Sequence, residues 1–198
     1  MEPFVSPDGR FLFFNNEQSV DTNIHFAERA GPLSFKYLGE LLGANSKAVD
    51  AVPSMDAAGH FYFSTTREYA KTLKSTFVGD FDGKRLTNVR PAPGDIWPRH
   101  LGAVNGDVGV SPDGATLYIS PDGRELYFTR SSHRGRMRTM VAVRPAPDVP
   151  FEEPRVLTAF SGFVEAPSVS TDLKELFFHK KVGDKFVIYR ALRKEAGR

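Results

Sequence analysis

Four acidic residues, Glu2, Asp50, Asp107 and Glu165, stand at matching places in this chain. The first three precede Ser6, Ser54 and Ser111 by four residues, and Glu165 precedes Ser170 by five. Carboxylates crowded together either share protons or attract a cation. Calcium, which takes oxygen ligands, would suit a ring built from these four. Two carboxylates facing each other about 5–10 Å apart would instead suit glycosidase-like acid–base chemistry. The alternative is structural: each acid bonds nearby backbone or a neighbouring unit.

A second set of polar residues falls where loops should follow strands: Asn15, Asn16, Arg67, Glu68, Arg130, His133 and His179. A mixed acidic and basic surface of this kind suits a peptide or sugar partner. Arg130, His133, Arg134, Arg136 and Arg138 form a basic cluster. It lacks the interleaved aromatics of single-strand nucleic-acid binders and reads as a solvated hairpin loop. The five histidines have no metal-ligand spacing. No nucleophile elbow or phosphate loop is present.

The elements that must carry these residues announce themselves by repetition. Ser6-Pro7-Asp8-Gly9 precedes Phe11, Leu12 and Phe13; Ser54-Met55-Asp56 precedes Phe61, Tyr62 and Phe63. Ser111-Pro112-Asp113-Gly114 precedes Leu117, Tyr118 and Ile119, and Ser120-Pro121-Asp122-Gly123 precedes Leu126, Tyr127 and Phe128. Ser170-Thr171-Asp172 precedes Leu176, Phe177 and Phe178. Proline presets φ, Asp bonds local backbone and Gly tolerates positive φ, so each motif is a turn. The residues after it have strong strand preference and alternate in character. Third strands are expected at 23–28, 75–80, 138–144 and 186–192, and fourth strands at 35–38, 86–89 and 153–157.

The five motif aspartates are separated by 48, 57, 9 and 50 residues. Periods of about 40–50 residues with four strands each indicate propeller blades. The chain is therefore expected to be all-β, a single β-propeller domain of four blade equivalents, incomplete or open. The units fall at 2–49, 50–106, 107–163 and 164–198, the third merged or truncated. The nine-residue step has two readings: Pro121 to Gly123 is a hairpin turn within one blade, or, the favoured one, a blade has been deleted near residue 120. In a propeller the first strand is innermost, so the four acids would gather at one mouth of the central channel. The polar loops after the second strands would open on that same face. Trp97, in a Pro-rich connector, is expected to pack between blades.

At 198 residues the chain can bury one substantial core. Its net charge of +2 gives no argument for nucleic acid. With no cysteine it has no disulfide or thiolate metal site. No apolar run approaches the roughly 20 residues that span a bilayer. Met1 to Val5 shows no signal-peptide pattern. A removed leader, a late gene start and a cytosolic protein all remain open on that ground.

Ser-Pro-Asp-Gly followed by Leu-Tyr-Phe resembles the WD40-like, PD40-type β-propeller repeat. That repeat occurs in the C-terminal domain of the periplasmic protein TolB and in many exported bacterial proteins. The stretches from Glu2 to Gly9 and from Glu165 to Ser170 match its opening strand, and Ile188 to Ala191 its third. The resemblance covers nearly the whole chain and implies a periplasmic or secreted protein. It is specific for fold, not for activity, since related repeats serve as scaffolds, peptidase gates and lyases. The expected role is a non-catalytic module that binds protein, peptide or carbohydrate at the channel mouth and inter-blade loops. Its ligand-contacting residues would be Glu2, Asp50, Asp107, Glu165, Arg67, Glu68, Arg130 and His179. A hydrolase or lyase acting on sugar or peptide at that mouth is the alternative. A shortened propeller that has lost its activity is the third reading.

Overall fold

The computed structural model describes residues 3–16, 22–97, 117–131, 137–158, 160 and 164–193. They form β-strands almost throughout. Blade 1 holds β1 (Phe4–Val5), β2 (Phe11–Asn15), β3 (Ile24–Gly31) and β4 (Ser34–Glu40). Blade 2 holds β5 (Asp50–Met55), β6 (His60–Thr65), β7 (Thr76–Phe81) and β8 (Leu86–Pro91). The short helix α1 (Tyr69–Thr72) interrupts the loop between β6 and β7. Blade 3 holds β9 (Leu117–Ile119), β10 (Glu125–Ser131), β11 (Met137–Val143) and β12 (Arg155–Val156). Blade 4 holds β13 (Val164–Val169), β14 (Glu175–Val182) and β15 (Lys185–Leu192). Each sheet is antiparallel and follows chain order, so each blade is a simple meander. The four sheets stand in a ring as a propeller, with β1, β5, β9 and β13 as first strands.

The core lies between blades rather than within one. Phe11, Phe13, Phe26, Phe61, Phe63 and Phe77 fill the space between blades 1 and 2. Their rings meet mainly edge-on or tilted, as in the 4.8 Å T-shaped pair of Phe13 and Phe61. Tyr62, Val78, Leu117, Leu126 and Phe128 fill the space between blades 2 and 3, with Trp97 packed against them. Tyr127, Val141 and Val169 join blades 3 and 4. Fully buried Ser54 accepts the Ile119 N–H at 2.9 Å, tying β5 to β9. Tyr118 donates its hydroxyl proton to the Val169 carbonyl at 2.9 Å, tying β9 to β13. On blade 4, Phe177 and Ile188 share one face and are exposed.

Three turns obey one hydrogen-bond scheme. The Gly9 N–H donates to the Ser6 carbonyl, Gly123 to Ser120, and Leu173 to Ser170. The serine hydroxyl donates to the motif aspartate in each, at 2.5–2.6 Å. Blade 2 differs from the sequence expectation. There the bond runs from the Gly59 N–H to the Asp56 carbonyl, so the turn opens at Asp56 and not at Ser54. Asp56 fills the serine's place because its carboxylate caps the same turn, accepting the Ala58 and His60 N–H groups at 3.0 and 2.9 Å. In blade 3 the Ser120 motif forms the first turn and β9 is the innermost strand. The Ser111 copy lies outside the described residues.

Candidate functional site

The strand registers place the loops after the second strands beside the starts of the first strands, as the repeat implied. Asp50 pairs with Thr65, and Glu165 pairs with His179. Glu2, Asp107 and His133 lie outside the described residues, and of Glu165 only the backbone is described. At Asp50 the chemistry is already committed. This fully buried carboxylate accepts Arg67 Nη2 at 2.7 Å on Oδ1. It takes the Ser46 N–H and Oγ–H at 2.6 and 2.7 Å on Oδ2. Arg67 also donates to the Ala44 carbonyl and to Thr65 Oγ1, and lies over the rings of Phe63 and Phe77. Both partners hold β5 to the loop after β6.

Arg130 is used in a similar way. Its Nη2 donates to the Ile96 carbonyl at 2.6 Å and its guanidinium lies over Phe128. Glu68 caps α1 through its backbone and leaves its side chain exposed. Asn15 is buried, Asn16 is half-buried and accepts the Asn23 N–H, and His179 is half-buried on β14. Among the described residues no three His, Asp or Glu side chains gather to hold a metal ion.

A wide opening lies at the other end of the first strands, among the motif turns. A groove of about 510 Å³ is lined from all four blades. Pro7, Asp8, Arg10 and Phe11 come from blade 1; Met55 to Gly59 and Phe81 to Gly83 come from blade 2; Pro121 and Thr171 come from blades 3 and 4. Turns 2 and 3 are fastened together by the Ala57 N–H, which donates to the Pro121 carbonyl at 2.9 Å. The floor is aromatic, with Phe11 and Phe81 meeting edge-on at 5.1 Å. Its rim carries three carboxylates. The Ser6 hydroxyl holds Asp8 below the usual carboxylate range, and the Arg85 and Lys84 N–H groups do the same for Asp82. Asp56 is buried and bonded to His60 Nδ1 at 2.8 Å. The guanidinium lining the groove, Arg10, is paired with Glu28 at 2.8 Å. Sequence reasoning missed this groove. The recurring turn gave the signal, since equivalent turns of a propeller must meet at one mouth.

Comparison with solved structures agrees with the fold. TolB from Acinetobacter baumannii superposes with a TM-score of 0.59 at 13% identity, covering 96% of this chain and 40% of that one. The protein assigned as TolB from Agrobacterium tumefaciens gives 0.55 at 17% identity, covering 96% and 57%. Prolyl oligopeptidase B from Galerina marginata gives 0.53 at 11% identity, covering 96% and 24%. No family model matches the sequence, and no curated protein does. The chain has a TolB-like β-propeller fold and spans roughly half the length or less of these structures. Identities this low speak for fold alone, and the fold is shared by TolB and a peptidase. No helix among the described residues is long and apolar enough to cross a membrane.

Proposed function

We propose that this chain is a non-catalytic propeller module, periplasmic or secreted, that binds a cationic segment of a partner protein or peptide in the turn-side groove. The observation that carries this reading is the makeup of the groove. An aromatic floor of Phe11 and Phe81 lies beneath a rim holding Asp8 and Asp82 in their charged forms. A lysine or arginine side chain has the matching shape, an apolar stem and a charged head. Its stem would lie on the rings and its head would meet the carboxylates. At the opposite mouth, Asp50 is neutralised by Arg67, which lends support to a structural role there.

Amide hydrogen exchange with and without a soluble Gly-Lys repeat peptide tests the proposal. Protection is expected at 7–11, 55–59 and 81–83. Protection confined to the loops after β6 and β14, or none at a saturating peptide concentration, would overturn it.

A further inference from the structure

A second cavity, of about 420 Å³, opens between blades 3 and 4 and shares no lining residue with the groove just described. Its wall is apolar: Val141 and Leu157 from blade 3 face Val169, Leu173 and Leu176 from blade 4. One end is closed by a polar knot. Tyr127 donates its hydroxyl proton to Glu125 at 2.8 Å, and Arg193 donates to both Glu125 and the Tyr127 oxygen at 2.6 and 3.0 Å. Glu175, also lining the cavity, is paired with Arg190. The two carboxylates are thus matched by two guanidinium groups. Among the described residues Arg155 has no ion-pair partner, and it is exposed at the cavity's rim.

Leu173 supplies an independent observation. It occupies the turn position held by Gly9, Gly59 and Gly123 in the other three blades. Those glycines have φ of +72°, +89° and +69°, and Leu173 adopts +61°. A branched side chain in this left-handed region is strained where glycine is not. Backbone strain of this kind gathers at ligand sites. Blade 4 accepts the strain, and the side chain so placed lines the cavity.

We propose that this cavity is a binding site for a small amphipathic organic anion, an acyl or aryl carboxylate. Its apolar body lies against Leu157, Val169, Leu173 and Leu176, and its carboxylate meets Arg155. A volume of this size is in the range of pockets that enclose small ligands. The site is separate from the turn-side groove, so either proposal can stand without the other.

Isothermal titration calorimetry with decanoate, below its micellar concentration, tests this on the full chain. Decyltrimethylammonium serves as the cationic counterpart. Saturable one-site binding of decanoate is expected, with binding of the cation at least tenfold weaker. Arg155→Glu should weaken decanoate at least tenfold. Leu173→Gly suits the turn's backbone and should weaken it several-fold while circular dichroism stays unchanged. Equal binding of the two amphiphiles, or wild-type affinity in Arg155→Glu or in a folded Leu173→Gly, would overturn the proposal. Should Leu173→Gly fail to fold, the head-group comparison and Arg155→Glu decide it.

Discussion

Arg67 reaches from the loop after β6 to place its Nη2 2.7 Å from Oδ1 of Asp50, a carboxylate with no solvent exposure at the start of β5. The pair is asymmetric. Arg67 keeps 20% of its side-chain surface exposed and Asp50 none, so both charges are desolvated and Asp50 completely. Removing the arginine leaves a buried charge with only the two Ser46 donors. Arg67→Ala is expected to cost about 3–5 kcal/mol, seen as a Tm drop of roughly 10 °C by calorimetry. Asp50→Asn in the same background should recover part of the loss. No recovery would mean that the cation–π contacts with Phe63 and Phe77 dominate instead.

Ser54 makes a sharper test of inter-blade coupling. Its hydroxyl oxygen takes the Ile119 N–H from the neighbouring blade, and both residues are fully buried. Ser54→Ala leaves that N–H without a partner, an expected loss of about 1–3 kcal/mol in urea unfolding. Stability equal to wild type would show that the bond is not part of the blade 2–blade 3 contact.

Arg144 is a buried guanidinium held by three groups. It donates to the Gly123 carbonyl at 2.6 Å and to Tyr62 Oη at 2.9 Å, and lies 4.3 Å from the Phe151 ring centroid. A lysine cannot reproduce that planar fork. Arg144→Lys is therefore expected to lose about 1–3 kcal/mol, in line with buried polar partners left unmatched. Chemical denaturation checks this, and a neutral outcome would contradict it.

Alkaline pH should destabilise the ring. Burial pushes the hydroxyls of Tyr62, Tyr118 and Tyr127 above the ordinary phenol range, Tyr127 furthest. The unfolded chain loses these protons near pH 10, while the folded chain keeps them. Their contribution is complete below about pH 10 and is lost as pH rises through the folded values. Urea midpoints should hold up to about pH 10 and fall above it, with a shallower fall in Tyr127→Phe. A flat profile, or the same slope in the variant, would contradict this.

Much of the fold was legible because strand preference and turn chemistry are local. The expected third strands at 23–28, 75–80, 138–144 and 186–192 coincide with β3, β7, β11 and β15. The blade 2 turn was misplaced by two residues because serine and aspartate cap such a turn equally well. Ser54, taken for the cap, belongs to β5 and bonds another blade. That Leu173 stands at the glycine place of its motif was legible from the sequence; that it keeps the glycine's backbone conformation, with φ of +61°, was not. The roles of Arg67 and Arg130 were hidden for another reason: their partners, Asp50 and the Ile96 carbonyl, are distant in sequence. Both cavities were illegible on the same ground, being assembled from several blades.

In the proposed role, the turn-side groove selects a cationic segment through Asp8 and Asp82. The direct measurement is fluorescence anisotropy of labelled Gly-Lys and Gly-Glu repeat peptides against wild type and Asp8→Lys/Asp82→Lys. Wild type is expected to bind the lysine peptide, and the double variant to bind it at least tenfold more weakly while gaining affinity for the glutamate peptide. Equal affinities in both proteins would contradict it.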